Sequence, residues 1–520
     1  MLFFEKITTI CNNLYKKLAD FAGNDKKVFR FALLAGILLS LTSVFFMHDI
    51  YRDVANVYAY HAREIGSGNF KAGWVGRVPM LNILLSGLLA KISGLEAYRA
   101  CIVISSLFYI LTLFPLRRLL ERYVSAVWSA WGCVLFVFAP KVIRFSVSGL
   151  LESGRYFFLT MAVLYYFRLS DGKFRWRDVV ILGVSLAGLS VSRGEAMPIA
   201  LLMLAGFPVF LLLKQWKKLP QGALPKYLAG WILAGVIFLI GLFPFCYGNW
   251  KFRQAFVPDL RILELAPVKT NAVKFAANPI EQPVPEKITP SKRFIICAGN
   301  TLRGAYEPYF FLAVLGMGLL LYRKKWNWDF TLLLGLFAVH FVIYYKISAA
   351  YRYSIYLIPL FMPFTLTGIE AVASGIRSRL TGWSAAKLTQ INILAGTGIA
   401  AVLLLQAING MACVTDRKDR KIHKAAEFIR AYAAEQFPGR RCNIAAAGCV
   451  ETIYWSGAVS RWGYRQYELP AEQQFSKDFD LYLQDKSVPG EPPAYCGELQ
   501  EVPAPADLPV RIFRKKQKNK

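Results

Sequence analysis

Two carboxylates, Asp49 and Asp53, begin the segment of this sequence that is best equipped for chemistry. They stand four residues apart, so on a helix both would lie on one face. A carboxylate in such a place can take a proton from a hydroxyl group or bind a divalent cation. For Asp49 alone, a solvated acid that caps the end of a helix is the simpler alternative.

A third acid, Glu152, begins a later apolar segment that follows a loop containing Lys141 and Arg144. An ionisable residue at the edge of an apolar segment is a candidate functional residue. The alternative is an ordinary helix pair with Arg155, three residues on, which would contribute only about 0.2–0.5 kcal/mol.

Two basic residues, Lys346 and Arg352, flank the segment ISAAY ahead of another apolar run. Arginine binds phosphate with a planar fork and lysine with a point charge, so both are candidate phosphate ligands. Simple attraction to anionic lipid headgroups is the alternative. Arg193, and Arg303 with Glu307, are weaker candidates that would serve equally well as interface anchors.

Several common catalytic motifs are absent from the sequence. There is no HExxH, Walker A motif, GxGxxG behind a strand or GxSxG, so ATP-driven transport and serine hydrolysis have no support. No two of the four histidines have metal-ligand spacing. His340 lies inside an apolar run and is expected to make hydrogen bonds within a helix bundle. The other three are His48, His61 and His423.

The composition places these residues in a membrane protein. Of 520 residues, 55% are hydrophobic and 18% are charged, and the mean hydropathy is +0.37. A soluble globular protein is thereby excluded. The net charge of +29 could suggest a nucleic-acid partner, but the basic residues cluster between apolar runs, as the positive-inside rule requires. We therefore expect no nucleic acid among its partners.

The apolar runs predict an all-α polytopic protein with about eleven transmembrane helices. The first run follows a basic stretch and no cleavage site comes after it, so residues 1–28 are expected to be cytoplasmic and amphipathic. The predicted spans are 29–47, 98–116, 124–140, 150–167, 178–192, 196–213, 228–246, 309–322, 330–345, 353–374 and 389–411.

A further run, 78–92, is apolar but short. With this run excluded, the loops on the amino-terminal side hold seventeen basic residues and the opposite short loops hold five. Counting the run as a span would invert that bias, so it is predicted not to cross. The helix predicted after Asp53, with Val54, Val57, Tyr58 and His61 at helical spacing, is expected to lie along the membrane surface.

This topology predicts a membrane domain at 29–412, with outer loops at 48–97 and 247–308, and an extracytoplasmic α/β domain at 413–520. Within the tail, residues 425–436 are expected to form a helix and 442–447 a strand. Outside the membrane, two of Cys442, Cys449 and Cys496 could form a disulfide, and all three pairings are open.

The opening region resembles that of GT-C fold glycosyltransferases, in the superfamily of protein O-mannosyltransferases and the lipid A aminoarabinose transferase. The resemblance is carried by an Asp after the first span, AREIGSGNF, RVPMLNILLSGLLAKISG and EAYRACIVIS. It continues in the loop before Glu152, in SVSRGEAMP and in YRYSIYLIPLFMP, and it covers about residues 30–375. Val54 follows Asp53 where the family has an Asp-Glu pair, and the oligosaccharyltransferase WWDYG motif is absent.

The resemblance implies transfer of one sugar, with inversion, from a polyprenyl-phosphate donor to a lipid, glycan or protein acceptor at the outer face of a cell membrane. It places Asp53 at the reaction centre with Asp49 beside it, and we expect Glu152 to orient the acceptor. Lys346, Arg352 and Arg144 are the expected ligands of the donor phosphate. A divalent cation such as Mg²⁺ or Mn²⁺ is left open, with Asp53 and Glu152 as its ligands.

Two other functions are compatible with the membrane topology. A transporter or flippase of lipid-linked saccharides would have broken helices at mid-membrane and pseudo-symmetric halves, and the sequence shows no internal repeat. A membrane scaffold could instead bind a partner through its tail, which is long enough to fold alone. Loss of Asp53 would stop a transferase and leave a scaffold untouched.

Overall fold

A computed structural model describes residues 17–515 with gaps at 18, 48–50, 52, 77, 173, 216–222, 258–288, 348–350, 381–382, 384, 416–419, 448, 461–478, 488–491 and 493–497. The first helix, α1, begins where Asn24 accepts a hydrogen bond from the Lys27 amide at 3.0 Å. It then follows the first apolar run to Phe46.

The helices follow the apolar runs of the sequence closely. The α-helices are α1 Asp25–Phe46, α2 Tyr60–Gly66, α3 Phe70–Gly73, α4 Met80–Ser93, α5 Ala97–Leu120, α6 Ala126–Phe138, α7 Pro140–Ser146, α8 Glu152–Ser170, α9 Trp176–Ser192, α10 Met197–Gln215, α11 Ala223–Arg253, α12 Pro290–Gly304, α13 Glu307–Tyr322, α14 Trp328–Ile347, α15 Ile358–Arg379, α16 Ala385–Thr415, α17 Arg420–Gln436 and α18 Val450–Ser456. A π-helix covers Val54–Ala59, and 3-10 helices cover Gly194–Ala196 and Tyr351–Leu357.

Six of the described helices are long and apolar enough to cross a membrane, or eight if two bent pairs each count as one span. The protein is therefore a multi-pass membrane protein, as predicted. Every predicted span overlaps a helix, but the predicted count of eleven is not confirmed. Several overlapping helices fall short because they are brief or, like α8, carry buried polar residues such as Glu152 and Arg155.

Two breaks in the spans shape the end of the molecule where α8 begins. Helices α6 and α7 meet at Ala139 with a bend of 62°, and α12 and α13 meet with a bend of 96°. Lys141 on α7 joins the two bends because its ammonium group lies 2.8 Å from Glu307 and also donates to the Arg303 carbonyl. Arg303 and Glu307, weak candidates in the sequence, therefore form a structural link with Lys141.

The segment after Asp53 differs from the surface helix that we predicted. It begins as a π-helix, Val54–Ala59, and continues as α2. Val54, Val57, Tyr58 and His61 are all buried, because α4 and α5 pack against the segment. It is thus enclosed by protein on the face that was expected to meet lipid.

Helix α4 occupies the short run that was predicted not to cross. Its 14 residues span about 21 Å at 1.5 Å per residue, well below the roughly 30 Å of a bilayer core. The backbones of α4 and α2 approach closely at Gly87. A Cβ atom there would lie 2.8 Å from the Ala62 carbonyl oxygen, so only glycine fits.

The carboxy-terminal unit, which we define as residues 420–515, contains α17, α18 and a five-stranded sheet. The strands are β1 Asn443–Ala447, β2 Val459–Ser460, β3 Leu481–Asp485, β4 Leu499–Glu501 and β5 Val510–Lys515, in the order β2-β1-β3-β5-β4. Strand β1 pairs in parallel with β2 and β3, and β5 pairs antiparallel with β3 and β4. An apolar core between the sheet and the helices includes Ile429, Ile444 and Leu483.

The predicted secondary structure of the unit is close to the observed one, since the predicted helix 425–436 lies inside α17 and the predicted strand 442–447 overlaps β1. Cys442 is a free thiol. Of the three pairings that the sequence leaves open, the two that include Cys442 are therefore not formed. Burial in the apolar core raises the pKa of this thiol to about 12. Cys496 lies outside the described residues.

Candidate functional site

Asp53 and Arg352 meet at the end of the membrane helices where α8 begins. Arg352 lies on the 3-10 helix Tyr351–Leu357, and its Nη1 donates a hydrogen bond to Asp53 Oδ2. Asp53 is the amino-terminal cap residue of the π-helix. The Asp53 side chain is 36% exposed and that of Arg352 is 17% exposed. The carboxylate is therefore held by a cation and is still within reach of a ligand.

Glu152 pairs with Arg193 rather than standing alone as a surface acid. Arg193 Nη1 lies 2.8 Å from Glu152 Oε1, and both side chains are only 4% exposed. Glu152 is in the first turn of α8, where the positive end of the helix dipole favours a carboxylate. Arg193 follows α9 in an extended conformation, which brings its guanidinium group to the same place. The other carboxylate oxygen of Glu152, Oε2, is buried and accepts no hydrogen bond from the described residues.

Two tyrosines connect these ion pairs into one site. The Tyr353 ring lies 4.2 Å from the Arg193 guanidinium carbon and 4.8 Å from that of Arg352. Its hydroxyl accepts a hydrogen bond from Arg352 at 3.0 Å. We call Asp53, Glu152, Arg193 and Arg352 the acid–arginine cluster.

Tyr58 on the π-helix is the second tyrosine, and it interacts electrostatically with all four members of the acid–arginine cluster. Burial, together with the charges of Glu152 and Asp53, raises the pKa of Tyr58 well above its usual value although Arg193 and Arg352 oppose this. Its phenol is therefore neutral at any working pH. A neutral phenol can donate a hydrogen bond to a ligand.

A second layer of hydrogen bonds fixes the 3-10 helix that carries Arg352. Arg155 Nη1 donates to the Tyr344 hydroxyl at 3.0 Å, and its guanidinium carbon lies 3.3 Å from the centre of the Tyr356 ring. His340 contacts the hydroxyl groups of Tyr356 at 2.6 Å and Ser354 at 3.0 Å. The prediction that His340 makes hydrogen bonds within the helix bundle is confirmed.

Three other candidate residues are not placed in the cluster. Asp49 lies outside the described residues, and Lys346 lies on α14 with its side chain outside the described part of the structure. Arg144 lies on α7, which packs against the 3-10 helix, and its guanidinium group contacts the Phe145 ring. Among the described residues, no hydrogen bond or ion pair links Arg144 to the cluster.

Sequence reasoning underestimated Arg193 and did not single out Tyr58 or Tyr353. Arg193 was treated as an interface anchor because nothing local in SVSRGEAMP reveals its partner. One signal was available, since Arg193 is one of only five basic residues in the short loops that positive charge otherwise avoids. The tyrosines gave no such signal in a chain with 26 of them.

The described donor set does not fit a divalent cation. No three acidic, histidine or cysteine side chains come together among the residues that the structure describes. The two carboxylates of the cluster each face a guanidinium group, and a cation between them would be repelled by those charges. Arginine binds phosphate with a planar fork, and the two arginines of the cluster both lie against the Tyr353 ring.

Comparison of the sequence with protein-family models and with curated proteins finds no match. Comparison of the structure finds ArnT from Cupriavidus metallidurans. The form bound to undecaprenyl phosphate has a TM-score of 0.59 at 10% identity, covering 94% of this chain and 98% of that chain. The apo form has a TM-score of 0.58 at 12% identity, covering 93% and 97%.

The oligosaccharyltransferase of Archaeoglobus fulgidus in complex with zinc and sulfate is a weaker match. It has a TM-score of 0.49 at 12% identity, covering 88% of this chain and 68% of that chain. The likeness to ArnT extends over nearly the whole length of both chains, so it includes the carboxy-terminal unit as well as the membrane helices. The chain therefore has the GT-C fold, which it shares with ArnT.

Proposed function

We propose that this protein is a membrane glycosyltransferase that moves a single sugar from a polyprenyl-phosphate donor to a lipid, glycan or protein acceptor at the outer face of a cell membrane, with inversion. The acid–arginine cluster is the observation that carries this proposal, because the partly exposed Asp53 carboxylate pairs with Arg352 and Arg193 lies on the same Tyr353 ring as Arg352. The structure of ArnT with undecaprenyl phosphate supports a polyprenyl phosphate as the carrier of the sugar.

The proposed reaction is a single displacement. Asp53 takes the proton from an acceptor hydroxyl group, and the acceptor oxygen forms a bond to the anomeric carbon on the face opposite the phosphate. The bond between that carbon and the phosphate oxygen breaks, and its electron pair stays on the polyprenyl phosphate. Arg352 and Arg193 stabilise the negative charge as it grows on the leaving phosphate.

In this proposal, Asp53 pairs with Arg352 when no donor is bound. A donor phosphate would compete for the Arg352 guanidinium group, and binding it would release the Asp53 carboxylate to accept a proton. A hydrogen bond to a charged group contributes about 1.5–3 kcal/mol. Because the bond from Arg352 to the phosphate replaces the bond from Arg352 to Asp53, the exchange of partners costs little. The acid would thus become a base only when the donor is in place.

Glu152 and Tyr58 would hold hydroxyl groups in this scheme. The buried Oε2 of Glu152 lacks a donor within the described residues and would accept a hydrogen bond from a sugar or acceptor hydroxyl. The neutral phenol of Tyr58 would donate one to an oxygen of the sugar or phosphate. Binding a substrate hydroxyl with a buried polar atom gives high selectivity, because an analogue without that hydroxyl leaves the atom unpaired.

The test is turnover of labelled polyprenyl-phosphate sugars by the purified full-length protein in detergent, with a membrane extract as the source of acceptor. Asp53→Asn should lose at least about 100-fold in rate, because general base catalysis contributes about 10²–10⁴-fold. Its thermal unfolding should match that of the wild type. Asp171→Asn is the matched control, since Asp171 is an acid paired with an arginine, Arg122, at the opposite end of α8.

Each outcome of this experiment has a definite meaning. If Asp53→Asn retains wild-type turnover, Asp53 is not the base. If the wild-type protein binds donors with several sugars but consumes none, the transferase proposal is wrong. Movement of donor across vesicles would then identify a flippase.

A further inference from the structure

The carboxy-terminal unit contacts the helical segment that begins at Asp53. This segment runs without a break from the Asp53 cap through the π-helix and α2 to Gly66. Helix α18 of the carboxy-terminal unit packs directly against the π-helix. A unit that follows the last membrane helix in the sequence therefore lies against the turn next to the proposed base.

An ion pair between a buried carboxylate and a half-exposed arginine holds the far end of the same segment. Glu64 on α2 has a side chain that is only 3% exposed, and its Oε1 accepts a hydrogen bond from Arg441 at 2.9 Å. Arg441 stands just before β1, and 377 residues of chain separate it from Glu64. Glu64 Oε2 also accepts a hydrogen bond from Asn69 at 3.2 Å, so both oxygens of the buried carboxylate are engaged.

Tyr454 on α18 provides a second, independent contact. Its side chain belongs to the hydrophobic core of the membrane helices and not to either core of the carboxy-terminal unit. Its hydroxyl accepts a hydrogen bond from the Tyr98 amide at 3.2 Å. The guanidinium carbon of Arg63 lies 4.9 Å from the centre of its ring, and Arg63 Nη1 donates to the Tyr454 carbonyl at 3.3 Å.

The contacts of Arg441 and Tyr454 act on Asp53 through the stiff helical segment that runs from Asp53 to α2. Glu64 stands eleven residues after Asp53, which is about 16 Å along a helix at 1.5 Å per residue. A helical segment of that length transmits a shift at one end to the other. Because proton transfer requires the base within hydrogen-bond reach of the acceptor, the position of α2 controls the reaction.

We infer that the carboxy-terminal unit positions the proposed catalytic base, Asp53, by fixing α2 through Arg441 and Tyr454. This inference rests on the proposed function. Arg441 and Tyr454 pair with residues outside the acid–arginine cluster, so they are positioning residues. The unit is then required for rapid transfer and not only for binding a partner.

Arg441→Ala tests the inference, with Arg440→Ala as its control. Arg440 is the preceding residue and donates two hydrogen bonds of 2.8 Å to Asp480, inside the carboxy-terminal unit. In the full-length protein, Arg441→Ala should lower kcat about 10- to 100-fold with a donor KM within about twofold of wild type. It should also speed hydrogen exchange in residues 53–66, and Arg440→Ala should do neither.

Two further variants separate positioning from general damage. Arg441→Lys keeps the charge opposite Glu64 and should recover most of the lost kcat. Tyr454→Leu keeps an apolar side chain in the core and removes the ring that lies 4.9 Å from the Arg63 guanidinium carbon, so it should fold, speed hydrogen exchange in residues 53–66 and lower kcat. If Arg441→Ala cannot be purified, Tyr454→Leu supplies the same comparison.

Three results would overturn the inference or its basis. Equal exchange rates in residues 53–66 for Arg441→Ala and Arg440→Ala would show that Arg441 does not hold the helix. Faster exchange with an unchanged kcat would show that the helix is held but does not position the base. A wild-type protein without turnover would overturn the proposed function and the positioning role together. In that case, hydrogen exchange in residues 53–66 would still show whether the contact between Arg441 and Glu64 holds α2.

Discussion

Asp53 and Arg352 lie 299 residues apart in the sequence and share a hydrogen bond in the folded protein. Each was a candidate from the sequence for a different role, the acid as a base and the arginine as a phosphate ligand. Their contact suggests how the two roles are connected, because a phosphate and Asp53 compete for the same guanidinium group. These roles stay predictions until turnover is measured.

At the residue scale, Arg352→Ala should slow the bound complex as well as weaken donor binding. Removing one donor that stabilises charge in the transition state costs about 10²- to 10³-fold in rate, so kcat/KM for the donor should fall by about that factor. Steady-state kinetics with a labelled donor measures this. Arg118→Ala is the control, since Arg118 is an exposed arginine that pairs with Glu121 away from the cluster. An unchanged kcat/KM would remove Arg352 from the phosphate site.

At the scale of elements, the close approach of α2 and α4 determines where Asp53 stands. The helices meet at Gly87, where an added Cβ would lie 2.8 Å from the Ala62 carbonyl oxygen and 2.8 Å from Ile65 Cγ2. A backbone carbonyl cannot move without moving α2. The helix that begins at Asp53 is therefore held by α4 on one side and by the carboxy-terminal unit on another.

Gly87→Ala should therefore lower both stability and turnover. Overpacking of this kind costs about 1–3 kcal/mol, and the displaced α2 would carry Asp53 with it. Thermal unfolding in detergent and donor turnover measure the two effects. Gly318→Ala on α13 is the control because nothing lies within 4 Å of an added Cβ there. Equal unfolding temperatures for the two variants would contradict the prediction.

The carboxy-terminal unit should lose stability in acid through Asp480. Burial raises the pKa of this carboxyl group, but hydrogen bonds from Arg440 and the Asn443 amide outweigh it, and the pKa lies below its usual value. The unfolded chain has an Asp pKa of about 3.9. A pKa that is lower in the folded state gives stability that is present above about pH 4 and is lost as the pH falls through the folded value.

This loss of stability is measured by hydrogen exchange of strands β1 and β3 in the full-length protein, from about pH 6 down to about pH 3. The exchange rates are corrected for the pH dependence of the intrinsic amide exchange rate. Asp480→Asn should be less stable at neutral pH and should show a flatter dependence on pH. Asp507→Asn is the control, since Asp507 is an exposed acid 3.4 Å from Lys424. A wild-type pH profile in Asp480→Asn would contradict the assignment.

At the scale of the whole molecule, the acid–arginine cluster and the carboxy-terminal unit lie at one end of the membrane helices. The opposite end is joined by other ion pairs, including Arg122 with Asp171 and Asp329 at 2.7 Å each. The distribution of basic residues predicts that the cluster end faces outward. The proposed function requires this orientation, because the acceptor is taken from the outer face.

Cysteine labelling in intact cells tests the orientation. Ser487→Cys lies on the exposed surface of the carboxy-terminal unit and should react with a membrane-impermeant maleimide. Arg118→Cys, at the opposite end of α5, should react only after the membrane is opened. Labelling of the wild-type protein provides the background. The reverse pattern would place the cluster in the cytoplasm and contradict transfer at the outer face.

Much of the fold could be predicted from the sequence because apolar runs and charge bias are local signals. The positions of the helices, the short run at 78–92 and the α/β character of the tail follow from them. The count of eleven spans is not confirmed, since a run of apolar residues does not show whether a helix bends, as α6 and α7 do at Ala139. The pairing of the tail cysteines stayed open in the sequence because spacing does not show that Cys442 lies in an apolar core.

By itself, the sequence determined that this is a polytopic membrane protein and which charged residues stand at the edges of its apolar runs. Only the tertiary structure decided that Arg352 pairs with Asp53, that Arg193 pairs with Glu152, and that the helix after Asp53 is enclosed. The reason is physical. Hydropathy and charge act over a few neighbouring residues, whereas these pairs depend on how helices far apart in the chain pack together.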